Sequence, residues 1–398
     1  MARWEQATAI IGAGYGDEGK GLVVDALAAA AGGDATVVRF NGGAQAGHTV
    51  TTPDGRRHVF HHLGAGALAS APTFLSRFFV INPILFPAEA DALAKLGANT
   101  EVAVDPAAPV TLPADMMINQ IVERARGGAR HGSCGLGVGE TVERSQNADL
   151  AVSAADLADR PRLAAALKRA RAEWVFPRLA ALGMAALDEE DRARLADPAI
   201  DARWLDDAER FAARTRLAEA PAPGRLIFEG AQGLRLDQTR GDFPYVTRSN
   251  TGCRNVVALA RDWGVEALER IYVSRIYLTR HGAGPLPREA PGELFPGLAD
   301  ATNVPNPWQG ALRFAPLDLD RLAADIAADG ADADGFESRP SLAVTCLDQP
   351  PGRVEVYRDR TAMWETPEGV VALAAASVAP RRVMTSRGPT RTTFAQSS

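Results

Sequence analysis

One short glycine-rich stretch, Gly12 to Gly21, constrains the fold of this chain more than any other feature. The apolar residues 7–11 before it predict a buried strand, and residues 21–31 predict a helix. A glycine-rich turn between a strand and a helix is the context in which backbone N–H groups and a helix N-terminus bind phosphate. The stretch therefore predicts an α/β fold with a phosphate site after its first strand.

The lysine and the acid of this stretch define the kind of phosphate site. Gly14 and Lys20 have the spacing of a P-loop, but Gly21 stands where a P-loop has the Ser or Thr whose hydroxyl holds Mg²⁺. Asp17 places a carboxylate inside the loop instead. The sequence also lacks the Asn/Thr-Lys-x-Asp motif that binds guanine in GTPase switches. A phosphate site with its own acid is predicted, and a P-loop GTPase switch is disfavoured.

The composition limits the classes of protein to consider. The 398 residues are 46% hydrophobic, enough for a large core, and the formal net charge is -6 with acids and bases mixed along the chain. No basic patch predicts nucleic-acid binding, and no apolar run is long enough to cross a bilayer. Three widely spaced cysteines and a polar N-terminus favour a reducing compartment. A cytoplasmic protein without nucleic-acid or membrane partners is expected.

Strand and helix patterns alternate along most of the chain. Such alternation predicts an α/β fold with a large, mostly parallel, doubly wound sheet and helical insertions. A stretch rich in alanine and acids at about 151–218 is expected to be a helical insert within a single domain, 1–398. The predicted strands are 7–11, 35–40, 58–63, 78–85, 225–228, 271–278, 341–347 and 382–384, and the predicted helices outside the insert are 21–31, 87–96, 114–126 and 317–328.

Glycine-rich or polar loops follow several of these strands. Because the carboxyl ends of parallel strands lie at one edge of a sheet, ligands bind in the crevice that their loops form. We therefore expect convergence on one crevice of the loops after residues 11, 40, 228, 278, 347 and 384. His58, His61 and His62 are interpreted as strand and loop histidines, because their spacing does not fit a zinc site.

These loops resemble, in sequence and in order, the motifs of the adenylosuccinate synthetase family. The resemblance is firm over roughly the first two thirds of the chain and patchy afterwards. The matching stretches are Gly16 to Gly21, Asn41 to Thr49, Phe228 to Thr251, Thr279 to Glu289, and Gly388 with Pro389.

The resemblance implies a reaction and the residues that carry it. In this family an NTP phosphorylates the C6 oxygen of a purine nucleoside monophosphate, and an amine, aspartate in the family, then displaces the phosphate. Asp17 would take the proton from purine N1 and bind Mg²⁺, and Lys20 would stabilise charge on the phosphoryl group. His48 would donate a hydrogen bond to that group as general acid, Gln232 would orient the C6 oxygen, and the Gly47 carbonyl would be a second Mg²⁺ ligand.

The resemblance also implies how the substrates are bound, and it implies a homodimer. GTP is expected as the phosphoryl donor, with ATP as an alternative, because the Asp348 carboxylate would accept hydrogen bonds from guanine N1 and N2. The competing interpretation is that Asp348 only caps the turn 348–351. Residues expected around the donor nucleotide are Gly16, Gly19, Lys20, Gly21, Thr49, Asp348, Ser386, Gly388 and Pro389. Residues expected to bind the purine nucleoside monophosphate and the L-aspartate or related amine are Asp17, Gln45, Ala46, Ser133, Cys134, Gln232, Thr247 and Arg313.

Three departures from the family pattern fall outside the phosphoryl-transfer motifs. The amine-binding loop of the family contains consecutive arginines, whereas Arg313 is the only basic residue in the corresponding stretch 302–314. A dicarboxylate needs more than one cationic partner. Cys134 and Leu136 stand where the family usually has Thr and Arg, and Cys346 replaces a Lys beside the nucleotide-base motif. The identities of the purine, the amine and the donor base therefore stay open.

Two alternatives compete with a ligase for IMP and aspartate. One is a ligase for GMP or dGMP, or for another amine, similar to the phage enzymes that form 2-aminoadenylosuccinate; those enzymes often lack the loop aspartate, whereas Asp17 is present here. The other, from a different class, is a nucleotide-binding regulator without catalysis. The resemblance makes IMP and aspartate the default substrates, and the presence of Asp17, Lys20, His48 and Gln232, to which it assigns phosphoryl transfer, favours a ligase.

Overall fold

A computed structural model of the chain describes residues 4, 6–184, 186–298, 300, 303, 308–336 and 338–397. The strands are β1 (Gln6–Gly12), β2 (Ala35–Arg39), β3 (His48–Thr51), β4 (Arg57–Phe60), β5 (Thr73–Leu75), β6 (Val102–Val104), β7 (Thr215–Leu217), β8 (Arg225–Gly233), β9 (Ala267–Arg275), β10 (Tyr277–Arg280), β11 (Arg313–Asp318), β12 (Ser341–Thr345), β13 (Val354–Arg358), β14 (Thr361–Glu365), β15 (Val383–Ser386) and β16 (Phe394–Ser397). The helices are α1 (Lys20–Ala30), α2 (Phe86–Lys95), α3 (Pro113–Arg126), α4 (Val138–Ser145), α5 (Arg160–Arg169), α6 (Phe176–Ala181), α7 (Glu189–Ala196), α8 (Pro198–Arg214), α9 (Arg254–Trp263), α10 (Leu319–Gly330) and α11 (Pro367–Val378). Each of the described helices is too short or too polar to cross a lipid bilayer.

Ten of these strands form one large sheet. Their order is β16-β15-β12-β9-β1-β8-β2-β5-β6-β7. Every neighbouring pair is parallel except β15 and β16. The predicted fold class, a large and mostly parallel α/β sheet, is confirmed. Because β1 pairs with β8 on one side and β9 on the other, the glycine-rich loop after β1 lies at the centre of the ligand-binding edge.

Both faces of the sheet are covered, which explains the uninterrupted apolar run of β1. Ile11 packs into one hydrophobic cluster and its neighbour Ile10 into the cluster on the opposite face. Helices α1, α2 and α8 contribute to the cluster of Ile10, and α9, α10 and α11 contribute to that of Ile11. The sheet is therefore doubly wound, as the alternation of strands and helices predicts.

Two smaller sheets carry parts of the site. Strands β3 and β4 form an antiparallel hairpin directly after a second glycine-rich loop, residues 41–47. Strands β10, β11, β13 and β14 form a four-stranded sheet. The prediction of one strand over 271–278 is wrong here: the chain leaves the large sheet at Ile276, whose N–H donates to the carbonyl of Thr345, and continues as β10 in the second sheet.

Of two further predictions of local structure, one is wrong and one is confirmed. The expected strand 78–85 is wrong: the strand beside β2 is β5, and Val80 and Ile81 form only isolated bridges. Phe79 and Ile81 are fully buried, so the apolar run reflects burial and not strand pairing. The expected helical insert is present as α5 to α8, where α8 packs Trp204 into the main core and α6 packs Leu179 against α3. The division into domains stays a prediction.

Candidate active site

A cavity of about 660 Å³ lies at the carboxyl ends of β1, β2 and β8. Its walls come from the loops after these strands and from residues 131–143, 243–248 and 280–283. Eleven predicted site residues line it: Gly16, Asp17, Lys20, Gln45, Ala46, Gly47, His48, Ser133, Cys134, Gln232 and Thr247.

An internal carboxylate holds the loop after β1 in shape. Glu18 is 4% exposed, and one of its oxygens accepts hydrogen bonds from the N–H groups of Gly14 at 3.0 Å and Gly16 at 2.8 Å. Its other oxygen lies 2.5 Å from the ammonium of Lys20. Gly16 and Gly19 adopt φ angles of 102° and 93°, which favour glycine. The loop thus carries an anion of its own, a feature that sequence reasoning missed although Glu18 lies in the motif.

The structure explains why Gly21 replaces the hydroxyl residue of a P-loop. A Cβ atom at Gly21 would lie 3.0 Å from the carbonyl oxygen of Thr49 and 3.2 Å from the Cβ of His48. The β3–β4 hairpin therefore packs directly on the start of α1, where a P-loop would keep room for a side chain. This close approach brings His48 into the same cavity as Asp17 and Lys20.

Asp17 lies at the turn of the loop, partly buried and in a left-handed conformation with φ 62°. Its carboxylate is 3.3 Å from Nε2 of His281, and its backbone carbonyl accepts a hydrogen bond from Nε of Arg275 at 2.5 Å. Burial raises the pKa of Asp17, and the charges of His281, Arg275 and Lys20 oppose that rise. His281 was not singled out from the sequence, although it directly follows the Thr279-Arg280 motif.

His48 is held by a buried acid that sequence reasoning also missed. Nδ1 of His48 is 2.5 Å from a carboxylate oxygen of Glu229, and Arg39 lies 3.7 Å from the other oxygen. Burial lowers the pKa of His48. Although burial would raise the pKa of Glu229, the charges of His48 and Arg39 hold it below its usual range. Because the Glu229 carboxylate is the acceptor, Nδ1 of His48 carries the proton of this hydrogen bond, and the buried Nε2 has no partner among the described residues.

Two glutamines place free carboxamide atoms at the cavity. Both polar side-chain atoms of Gln45, and Oε1 of Gln232, are buried without a hydrogen-bond partner in the described part of the chain. The two side chains are neighbours, since a Cβ built on Gly42 would lie 3.3 Å from Nε2 of Gln45 and 3.3 Å from Oε1 of Gln232. Buried polar atoms without partners are costly, so these carboxamides indicate a polar ligand.

The loop at residues 131–137 uses its backbone donors internally. A carboxylate oxygen of Glu123 accepts hydrogen bonds from the N–H groups of Gly132 at 3.0 Å and Ser133 at 3.2 Å. The hydroxyl of Ser133 donates to Asn119 at 2.8 Å. Burial raises the pKa of the Cys134 thiol to about 11, so this thiol is protonated at neutral pH. The loop lines the cavity, but the N–H groups of Gly132 and Ser133 already have an acceptor.

Three arginines at the cavity wall are likewise paired with acids. Arg126 lies 2.8 Å from Glu123, and Arg178 makes a bidentate pair with Glu140 at 2.7 and 3.2 Å. Arg248 is paired with a third glutamate, Glu143. A fourth, Arg280, instead donates to backbone carbonyls. An anionic substrate that approaches this wall therefore meets three cations whose charge is largely balanced.

Arg313 is not brought to the cavity. Its guanidinium donates to the carbonyl of Gly282 at 3.0 Å and twice to that of Gly284, at 2.9 and 2.8 Å. It also lies 3.1 Å from a carboxylate oxygen of Glu289. Arg313 thus supports the 280–284 loop. Much of the predicted amine-binding loop, residues 302 and 304–307, lies outside the described residues.

The residues predicted to surround the donor base form a separate group on the other side of the β1 loop. The hydroxyl of Thr345, at the end of β12, donates to the carbonyl of Glu18 at 2.7 Å, and the N–H of Leu347 donates to the carbonyl of Ser386 at 3.1 Å. Ser386 is buried, whereas Asp348 and Pro389 are exposed. The prediction of one crevice is therefore revised: the loops after β12 and β15 meet each other beside the β1 loop, while those after β1, β2, β8 and β10 line the cavity.

The residues present suit a magnesium ion bound partly by substrate. Mg²⁺ is a hard cation that is usually held by one or two carboxylates together with phosphate oxygens. Asp17 and Gly47 line the same cavity. Within the described residues, no three His, Cys, Asp or Glu side chains are grouped so as to hold a metal. The site therefore fits an ion that depends on a bound nucleotide and does not fit a cage built of side chains alone.

Comparison with known proteins assigns the chain to a family. A family model described as adenylosuccinate synthetase matches residues 9–303. The adenylosuccinate synthetase of Xanthomonas oryzae pv. oryzae (strain PXO99A) is 32% identical over 309 residues, which cover 74% of this chain and 68% of that protein. The chain belongs to the adenylosuccinate synthetase family. Enzymes of this family are C–N ligases of purine biosynthesis that depend on GTP and Mg²⁺.

Two solved structures share the fold of this family member. One is a fully ligated adenylosuccinate synthetase from Plasmodium falciparum, with a TM-score of 0.71 and 17% identity, covering 98% of this chain and 99% of that chain. The other is the succinoaminodeoxyadenylate synthetase of cyanophage S-2L, bound to dGMP and dATP, with a TM-score of 0.59 and 18% identity over 99% of this chain and 96% of that chain. The fold is therefore shared across nearly the whole length, even where the sequence identity is low.

Proposed function

We propose that this ligase joins L-aspartate to C6 of a purine nucleoside monophosphate through a 6-phosphoryl intermediate made with GTP and Mg²⁺. IMP is the leading candidate for the monophosphate. The observation that carries the proposal is the single cavity that gathers Asp17, Lys20, His48 and Gln232. The unpartnered atoms of His48 and Gln232 support a ligand between these side chains. Gln232 is proposed to orient the C6 oxygen.

Asp17 is proposed as the base that takes the proton from purine N1. A base works best when its pKa lies near the working pH. Burial moves the pKa of Asp17 in that direction, and the charges of His281, Arg275 and Lys20 oppose the rise. Once N1 is deprotonated, the C6 oxygen is a better nucleophile towards the γ-phosphoryl group.

Lys20 and His48 are proposed to stabilise the phosphoryl group in transfer. Lys20 is 3% exposed and lies beside Glu18, so phosphate oxygens would compete with this carboxylate for the ammonium. His48 donates from Nδ1 to Glu229, so donation from its Nε2 requires a second proton. The negative charge of the incoming phosphoryl group favours that protonation.

Asp17 and the Gly47 carbonyl are the proposed protein ligands of Mg²⁺. The bound ion would neutralise charge on the donor phosphates. Ligand residues proposed for the donor nucleotide are Gly16, Gly19, Gly21, Thr49, Asp348, Ser386, Gly388 and Pro389. The exposed carboxylate of Asp348 supports GTP, because a carboxylate accepts from both guanine N–H donors, and ATP is the alternative.

The acceptor side of the cavity, which is proposed to bind the purine monophosphate and the amine, is compatible with more than one substrate. Thr247, Ser133 and Cys134 line the wall proposed for the 5′-phosphate, and Gln45 and Ala46 border the proposed purine site. GMP and dGMP are second candidates, since the cyanophage relative of similar fold is described as bound to dGMP. Another amine is an alternative to aspartate, because Arg313 supports the 280–284 loop and does not itself line the cavity.

A phosphate-release assay tests the proposal. IMP, GMP and dGMP are each combined with GTP or ATP, Mg²⁺, and aspartate or another amino acid. Release with IMP, GTP and aspartate is the expected result, and release only with dGMP or another amine would move the assignment to an alternative. Nucleotide binding by calorimetry without phosphate release from any combination would refute the ligase reaction proposed here. A homodimer is proposed as well, and light scattering measures it.

A further inference from the structure

His61 lines the cavity, yet the proposed chemistry gives it no task. It follows β4 directly, and its Nδ1 lies 2.9 Å from the carbonyl oxygen of Ala46 and 3.0 Å from that of Ala44. A carbonyl oxygen can only accept a hydrogen bond, so Nδ1 must carry a proton that both carbonyls share. One side chain of the hairpin thus holds two points of the second glycine-rich loop.

These two points flank Gln45. Ala44 and Ala46 are 2% and 5% exposed, so the turn between them is packed on both sides. Gln45 extends to the cavity, and both polar atoms of its carboxamide are buried without a partner in the part of the chain that is described. The hydrogen bonds from His61 fix the backbone on either side of Gln45, and so they limit where its carboxamide can lie.

The carboxamide of Gln45 lies beside that of Gln232. Both approach to 3.3 Å the position that a Cβ on Gly42 would occupy. Gln232 is proposed to orient the C6 oxygen of the purine, and the donor and the acceptor of Gln45 would then be available to the same edge of the substrate. Misplacing a hydrogen-bonding group by about 1 Å can cost about 10²-fold in rate.

We propose that His61 is a positioning residue, which acts through Gln45 to set the hydrogen bonds to the C6 edge of the purine monophosphate. The proposal rests on the proposed function, because it needs a purine at this site. It differs from a purely structural role for His61, in which loss of the side chain would weaken the hairpin whether or not Gln45 is present.

A double-mutant cycle separates these roles. The variants are His61→Ala, Gln45→Ala and the double variant, and kcat/KM for IMP is measured for each. Each single change should lower kcat/KM by about tenfold, as expected for a lost or misplaced hydrogen bond to substrate. The double variant should be no worse than Gln45→Ala, because His61 has nothing left to position. Losses that multiply in the double variant would overturn the proposal.

Two further variants keep the result interpretable. In His61→Asn the amide nitrogen takes the place of Nδ1, so this variant should recover most of the activity; activity as low as that of His61→Ala would contradict the proposal. His58→Ala is the matched control, because His58 lies on the same hairpin, packs on Phe60 with ring centroids 4.9 Å apart and does not line the cavity. Thermal melting of every variant verifies that the fold is kept.

Calorimetry with IMP and GMP separates failure of this proposal from failure of the proposed function. If the wild-type protein binds neither nucleotide and turns over neither, the proposed function is wrong, and the role of His61 towards a purine falls with it. If the wild type binds IMP and the affinity of His61→Ala is unchanged while its kcat/KM is also unchanged, only the positioning role is refuted.

Discussion

Two of the glycine-rich loops that face the cavity, 12–21 and 131–137, are each held by a glutamate, but with different results. In the first, Glu18 accepts from backbone N–H groups and from Lys20, and the groups proposed for phosphoryl transfer stay at the cavity. In the second, Glu123 accepts hydrogen bonds from the N–H groups of Gly132 and Ser133 and also forms an ion pair with Arg126.

The difference lies in what each loop leaves for a ligand. Next to the first loop, His48, Gln45 and Gln232 keep buried polar atoms without partners among the described residues. Next to the second, Arg126, Arg178 and Arg248 are paired with glutamates, and Arg313 supports a neighbouring loop. The side proposed for phosphoryl transfer thus keeps polar atoms for a ligand, whereas three cations on the side proposed for the purine and the amine are already paired. The second side is also the one where the sequence departs from the family.

The largest effect should come from removing the acid of the first loop. Asp17→Asn keeps the size of the side chain but cannot take a proton from purine N1, so phosphate release should fall by about 10²- to 10⁴-fold. The matched control is Asp54→Asn in the exposed turn of the β3–β4 hairpin, which should leave the rate unchanged. Retained activity in Asp17→Asn would remove Asp17 from the proposed role of base.

The next largest effect should be on stability, at Glu229. Glu229→Gln leaves Arg39 buried at 0% exposure without its charge partner, and breaking such a pair costs about 3–5 kcal/mol. Urea unfolding should report a loss of that size, together with lower activity because His48 loses its orienting acid. Glu101→Gln, at a surface pair with Arg216, should change the free energy of unfolding by less than about 1 kcal/mol. Equal effects of the two changes would contradict the buried-pair argument.

A smaller effect is expected on the acceptor side. Arg313→Ala removes the donors that hold the carbonyls of Gly282 and Gly284, next to His281. The KM for the amine should rise about fivefold, the value of one lost hydrogen bond, with kcat nearly unchanged. Arg313→Lys should behave like the alanine variant, because lysine cannot bridge two carbonyls with a rigid fork. If kcat falls as far as in Asp17→Asn, the two sides of the cavity are not functionally distinct.

The smallest effect concerns the thiol of Cys134 in the 131–137 loop. Burial raises the pKa of Cys134 from 9.0 to about 11. At pH 8 its thiolate fraction is therefore about a hundredfold below that of a thiol with a pKa of 9.0. Iodoacetamide should label Cys134 slowly, and the rate should rise about tenfold for each pH unit until the pH approaches 11. Peptide mass spectrometry of the folded and urea-unfolded protein measures this. Fast labelling of the folded protein at pH 8 would show that the pKa of this thiol is not raised.

The sequence predicts the parts of this molecule that depend on local pattern. The apolar run before Gly12, the helix after Gly21 and the alternation of strands and helices are sufficient for the fold class, because both faces of the sheet are covered. The strand expected at 78–85 fails because buried apolar residues there pack without pairing, and period alone cannot distinguish the two.

The parts of the site that sequence reasoning missed depend on contacts between distant residues. Glu229 lies in a recognised motif, but its pairing with His48 joins residues 181 positions apart. The task of Arg313 was assigned from its place in the chain, whereas its hydrogen bonds to Gly282 and Gly284 depend on how β10 and β11 pair. An acid in an otherwise apolar strand, as at Glu229, was the available signal of a buried partner.

The contact between Lys20 and Glu18 has a consequence for the catalytic cycle. A phosphate that arrives at the loop does not meet a bare cation but exchanges places with an anion that is already bound. The gain on arrival is reduced by the contact given up, and the same contact is restored on departure. We expect Glu18 to compete with bound phosphate for Lys20. This competition lowers the affinity for the product nucleotide and so speeds its release, and it also lowers the affinity for the donor nucleotide.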